Sequence, residues 1–328
     1  MSEIKQSINK TQVVGTLLEL NMEVTTKEVT LKDNNGIEKK VECKQIGKKD
    51  FKNPMFLIDV KGMNIGVDFY PVSEKKLDEN GNIVSNSKFT AMETVMDKYI
   101  PKIKDAENAT RVKVDGCLVN QEYVSKDTYE FKCFPQVQGF QITSTNVPEE
   151  DIADCEISGI IRSIVPETKG EDAEETGRLK VELYTFNRNA ETTPFTFIVE
   201  SDLADDFNSF YEAGQSVKLY YEIITKQVGA KKPTTGGFGR RESHMVSGFS
   251  VTEYSVFRGD TAYEEESEYY INPEDMKQAL NERDIKINNM VKSAKENKDK
   301  PKSSPKGASS SGAKANPFGS ASTKKSPF

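Results

Sequence analysis

At 328 residues, with 35% apolar residues and a formal net charge of −7, the chain has material for about two domains, and its acidic balance excludes broad, non-specific duplex binding over the whole surface. The four cysteines (Cys43, Cys117, Cys133, Cys155) are far apart and the single histidine is His244, which excludes a zinc site and the usual nucleophile–base pairs. No run approaches the about 18 apolar residues of a membrane span, and the first residues lack the apolar stretch of a secretory signal, so the expectation is a cytoplasmic protein with no membrane partner.

Period-2 alternation and β-branched or aromatic residues dominate the sequence. A first strand over 11–24 contains Gly15, and a polar excursion follows over 25–53. Strands over 55–61 and 63–72 pair around Gly62, and a polar loop (73–88) leads to a helix over 89–100. Strands over 110–124 and 129–144 complete this set. The pattern then repeats. A strand over 154–165 has Gly159 in the matching place, and an acidic loop (167–177) precedes strands over 178–186 and 193–200. A short helix (203–211) and strands over 215–228 and 245–257 close the second set.

Local sequence agrees between the copies. Val112-Lys113-Val114 matches Val217-Lys218-Leu219, and Val137-Gln138-Gly139-Phe140 matches Val246-Ser247-Gly248-Phe249. A mid-strand glycine suits a strand that must curl to close a small barrel. Five strands with a helix between the third and fourth is the order of the OB-fold. The expected fold is therefore mainly β, with two OB-like five-stranded β-barrels in tandem. The alternative is two unrelated β-domains. The first barrel is expected over 8–146 and the second over 152–259.

An acidic linker and an amphipathic helix are expected over 260–297. Asn272 can cap the helix, Pro273 suits its first turn, and Glu274 and Asp275 suit its positive end. Met276, Leu280, Ile287, Met290 and Val291 form one apolar stripe. From Lys292 onward nine lysines meet two acids, a net of +7 that leaves −14 on the rest. Residues 298–328 are too rich in Lys, Pro, Ser, Gly and Ala to bury a core, so a disordered basic tail is expected.

The residues that could carry function are cations beside aromatic rings. The segment between the last two strands, 226–244, holds Lys231, Lys232, Arg240 and Arg241 for phosphates. Phe238, flanked by glycines, is there to stack on a base. On the strand over 178–186, Leu179, Val181 and Leu183 point into the barrel. Arg178, Lys180, Tyr184 and Phe186 then point out, with Arg188 in the next turn. In the first barrel Lys61 and Tyr70 fall outside, on a thinner platform beside Asp59 and Asp68, so the strand is expected to track along the second barrel and to bind the first more weakly. No phosphate-binding Gly-Lys-Ser/Thr loop and no Gly-x-Ser-x-Gly elbow occurs, so neither a catalytic residue nor a cofactor or metal is expected.

Ile8-Asn9-Lys10 followed by Val13-Val14-Gly15-Thr16-Leu17 resembles the opening strand of bacterial and phage single-stranded DNA-binding proteins. A Gly/Ser/Pro/Lys tail with Asn316-Pro317-Phe318-Gly319 and a terminal Pro327-Phe328 is also similar. The resemblance implies a non-enzymatic OB-fold binder of single-stranded DNA in replication, recombination or repair, without sequence specificity. It also implies that Pro327 and Phe328 contact replication or recombination proteins. The family's tip is acidic, whereas Lys324 and Lys325 stand here, and its stacking tryptophans are absent. A divergent phage-encoded form using Tyr and Phe, in the host cytoplasm, fits these departures. The rival reading is a structural or adaptor protein, such as a virion or replication-complex scaffold, that binds protein rather than nucleic acid.

Overall fold

The computed structural model describes residues 5–32, 36, 38–145, 150–169, 173–228 and 249–298. The first set of elements is β1 (Asn9–Leu20), β2 (Met22–Lys32), β3 (Glu38–Lys48), β4 (Phe56–Val60), β5 (Met63–Asp68), β6 (Val72–Ser73), β7 (Lys75–Leu77), β8 (Ile83–Ser85), α1 (Ser87–Lys98), β9 (Arg111–Val124) and β10 (Phe131–Ser144). The second is β11 (Asp154–Lys169), β12 (Glu174–Phe186), β13 (Thr192–Val199), α2 (Ala204–Phe210), β14 (Ser216–Val228) and β15 (Phe249–Gly259), followed by α3 (Pro273–Lys298).

Five strands of each set close on themselves. In the first, β1 pairs with β4, β4 with β5, β5 with β10 in parallel, β10 with β9, and β9 returns to β1. In the second, β11, β12, β13, β15 and β14 repeat that circuit, again with one parallel contact, β13 to β15. This is the OB connectivity in both copies. The alternation that fills the barrels is the one the sequence shows. Val13, Leu17, Phe56, Ile58, Ile65, Val67, Val112 and Val114 are buried in the first barrel, and Leu179, Val181, Leu183, Phe195, Phe197, Val217 and Leu219 in the second. Helix α1 adds Phe89, Met92 and Val95, and α2 adds Phe207.

The mid-strand glycines are there for close approach. A Cβ on Gly15 would lie 2.4 Å from the Asp59 carbonyl oxygen, and one on Gly159 would lie 2.3 Å from that of Tyr184. At these points β1 and β11 each turn from one neighbour to the next. Gly15→Ala is expected to destabilise the first barrel by about 1–3 kcal/mol, the usual cost of forcing atoms into a packed core. The midpoint of urea unfolding measures it.

The barrels are fused edge to edge. β1 pairs antiparallel with β11, matching Asn9 to Ile157, Lys10 to Glu156 and Thr11 to Cys155. Gly15 faces Val112 and Gly159 faces Val217, so Thr11 and Cys155 are counterparts. A local two-fold axis therefore passes between them, and the ten strands form one sheet.

Three sequence expectations need correction. The polar excursion over 25–53 contains a long hairpin, with β2 and β3 paired from Met22–Lys48 to Lys32–Glu38. Among the described residues its side chains are largely wet on both faces and only Leu31, Cys43 and Ile46 are buried, so no hydrophobic alternation announces it. The polar loop over 73–88 likewise holds the short hairpin β7–β8. The match of Phe140 to Phe249 is out of register. Phe140 bulges from β10 opposite β9, and the residue that bulges from β15 opposite β14 is Phe257. Phe249 instead pairs with Val228 at the far end of β15, and Val246, Ser247 and Gly248 lie outside the described residues.

Helix α3 starts as its sequence dictates, with the Asn272 side chain accepting from the Glu274 amide at 2.8 Å. It packs Met276, Ala279 and Leu280, with Ile271 just before it, onto the outside of the second barrel. Arg283 ties it to Glu122 of β9 and to the Thr192 carbonyl, and Lys286 pairs with Glu191. The helix thus braces both barrels. Among the described residues no helix is long and apolar enough to cross a membrane.

Candidate nucleic-acid interface

A groove of about 830 Å³ runs along the first barrel where it meets the second. Its floor is Ile65 and Gly66 of β5, Phe69, and Val137 and Gln138 of β10. One wall is the β2–β3 hairpin, with Thr25, Lys27, Gln45 and Lys48, continued by the turn that carries Phe51, Lys52, Asn53 and Pro54. The other wall combines Gln121, Phe134 and Gln136 of the β9–β10 ribbon with Ile223 and Thr225 of β14 and Thr252 and Tyr254 of β15. The long insertion between the first and second barrel strands thus faces the connection between the fourth and fifth. OB-folds grip oligomers between these two places.

Three rings on this groove are open to solvent: Phe51 at 88% exposure, Tyr70 at 65% and Phe134 at 47%. Phe134 is steadied by an edge-on contact with Tyr123, centroids 6.2 Å apart. Lysines 27, 48 and 52 line the groove against Glu23 and Asp68. Asp68 is already committed. One oxygen accepts from the Met55 amide and the other from the Lys48 ammonium, each at 2.8 Å. Lys48 is committed by the same pair, and its ammonium group has further N–H donors left over. Rings, amides and a slight excess of ammonium groups in an open channel can take up flat aromatic groups strung on a polyanion.

The structure sorts the residues expected from sequence. Tyr70 lies in the groove. Lys61 is exposed at the β4–β5 turn, with its amide donating to Asp151 at 2.8 Å, and does not line the groove. Lys180 is exposed on β12, and Arg188 is exposed with its Nε donating to Gln6 at 3.1 Å. Neither reaches this groove.

Tyr184 and Phe186 do point outward from the barrel, yet both are buried. Helix α3 covers that face, and Arg162 donates to the Tyr184 hydroxyl at 3.2 Å. As a stacking platform they are closed off. Arg178 is also buried. It meets Glu167 at 3.2 Å and Glu253 at 3.0 Å, so its charge is spent inside the protein. Lys231, Lys232, Phe238, Arg240 and Arg241 lie outside the described residues, as do Pro327 and Phe328.

Sequence reasoning missed Phe51, Phe134, Lys27, Lys48 and Lys52. A signal was present for the turn, where Lys48-Lys49-Asp50-Phe51-Lys52 interleaves a ring with cations.

A family model described as YorF matches residues 7–295. The chain belongs to the YorF family. Both barrels of this YorF chain, the seam between them and α3 fall within the matched residues. No curated protein matches it significantly. Two crystal structures of the single-stranded DNA-binding protein from Thermus aquaticus are similar to the YorF chain. The wild-type protein aligns at 10% identity and a TM-score of 0.40, covering 80% of this chain and 97% of that one. A deletion mutant aligns at 12% and 0.39, covering 80% and 98%. The OB assignment of the YorF chain stands on its own strand pairings, independently of these alignments.

Proposed function

We propose that this protein binds single-stranded DNA, without sequence specificity, in the groove along the first barrel, and that it serves replication, recombination or repair as a binder rather than an enzyme. The observation that carries the reading is the set of open rings, Phe51, Tyr70 and Phe134, on one channel whose β2–β3 wall, with the turn that continues it, carries Lys27, Lys48 and Lys52. Every base has a π-face, so rings in a row hold a strand whatever its sequence, and ammonium groups follow its phosphates. A duplex hides those faces, and the acidic body repels it.

The segment between β14 and β15 extends this reading. Ile223 and Thr225 on one strand and Thr252 and Tyr254 on the other line the groove, so the segment joins two strands that already border it. Its Lys231, Lys232, Arg240 and Arg241 are proposed to add phosphate contacts, and Phe238 a further stacking ring. Partners of the basic tail, through Pro327 and Phe328, are the outermost part of the proposal.

The test is fluorescence anisotropy with labelled oligo-dT and with duplex of equal length across a salt series. Binding to dT well above duplex is expected. Arg240→Ala/Arg241→Ala is expected to weaken dT binding and to reduce the salt slope by about 1.4, since each single-strand phosphate contact contributes about 0.7. An unchanged slope removes that segment from the site. Failure to bind dT even at low salt overturns the reading and favours an adaptor that binds protein.

A further inference from the structure

Phe51 is the most exposed large apolar residue among those described, yet the turn that carries it is tightly held. The agent is Asn21, at the junction of β1 and β2, itself only 8% exposed. Its side-chain Nδ2 lies 2.6 Å from the carbonyl of Asp50, 3.2 Å from that of Asn53 and 3.3 Å from that of Pro54, and its Oδ1 accepts from the Asp50 amide at 2.9 Å. Its main chain donates to Met55 and accepts from Lys49. The side chain and the backbone of one residue thus grip both ends of the turn.

Within the turn, Asp50 accepts from the Lys52 amide and from the Asn53 side chain. Behind it, Pro54 sits on Gly66, where a Cβ would come within 3.0 Å of the proline ring. A ring presented to solvent gains most for binding when its backbone loses no freedom on contact.

We infer that Asn21 is a positioning residue for strand binding. It never touches the strand, and it fixes the 49–55 turn so that Phe51 and Lys52 stand preformed at the groove edge. This deepens the reading above and rests on it. A side chain only 8% exposed that makes these contacts to one turn holds it more firmly than a polar turn needs, since such a turn can satisfy its groups with water.

The experiment is a mutant cycle read by oligo-dT anisotropy on the full chain. It uses Asn21→Ala, the turn variant Phe51→Ala/Lys52→Ala, and the three together. Asn21→Ala is expected to weaken binding by about fivefold or more, the scale of one stacked base. In the turn-variant background it is expected to change nothing, because the groups it positions are gone. A purely structural role would give the same loss in both backgrounds, and that result overturns the inference.

Asn21→Ser keeps a small polar group at the same place but is too short to span the Asp50, Asn53 and Pro54 carbonyls. It is expected to show the same pattern and carries the test if Asn21→Ala does not fold. Should the turn variant bind dT as tightly as the parent, the groove reading itself fails. A weakened turn variant with additive Asn21 losses fails only the positioning role.

Discussion

Alanine at Phe51, Tyr70 and Phe134 together is expected to abolish measurable oligo-dT binding at moderate salt while leaving the fold intact. Each ring stands on the surface and contributes little to the core, so its removal should leave the unfolding midpoint nearly unchanged. Base–aromatic stacking is worth about 1–3 kcal/mol per base, which makes each single variant about 5- to 150-fold weaker. Tyr70 and Phe51 flank the first barrel's own strands, whereas Phe134 stands on the ribbon that reaches the second barrel. Loss confined to long oligonucleotides in Phe134→Ala would place that ring at the far end of the bound strand. Titration by anisotropy, with circular dichroism as the folding control, measures both. Affinities within twofold of the parent for all three would remove the groove from the account.

Arg178→Ala is expected to cost about 3–5 kcal/mol, the usual result of leaving a buried carboxylate, here Glu167, without its close cation. Arg178 joins β12 to Glu167 of β11 and Glu253 of β15, and Lys226 of β14 reaches the same Glu253 at 2.8 Å. These contacts clamp four strands at one end of the second barrel. Burial alone would raise the Glu253 carboxyl, but the Lys226 hydrogen bond and the Arg178 charge outweigh it and hold the group below its ordinary value of 4.5. A carboxyl lowered by folding stabilises the folded state above its unfolded pKa, and that contribution is lost as pH falls through the folded one. The parent should therefore lose stability as pH drops below about 4.5, and Glu253→Gln, less stable at neutral pH, should lose less over that range. Urea midpoints from pH 7 to pH 3 measure this, and parallel curves for the two proteins would contradict it.

What the sequence made legible followed from alternation. Leu179, Val181 and Leu183 read as interior because polar residues separate them, and they are interior. The pairing of Gly15 with Gly159, and of Val112 with Val217, marked the repeat because barrel closure puts the same steric demand on both copies. The β2–β3 hairpin was illegible for the opposite reason. A ribbon wet on both faces has no apolar face to reveal its period, and its ladder is held by backbone bonds that leave no trace in side-chain type. Tyr184 and Phe186 failed differently. Their direction was right, but whether an outward ring meets water depends on α3, about ninety residues further on, and no local pattern tells where a helix will lie. Arg178 reads as a surface cation from its position on the strand, and only the convergence of Glu167 and Glu253 shows otherwise. Phe51 was visible among its lysines, but the turn's place beside Tyr70 and Phe134 is a product of the barrel.

The central claim is that a single strand lies in the channel between the β2–β3 hairpin and the β9–β10 ribbon. Amide hydrogen exchange with and without saturating oligo-dT tests it most directly. Slowed exchange is expected in the turn around Phe51, along β2 and β3, and at the start of β10, with α3 and the outer face of β12 unchanged. Protection confined to α3 and β12, with the Phe51 turn exchanging as in the free protein, would contradict the account.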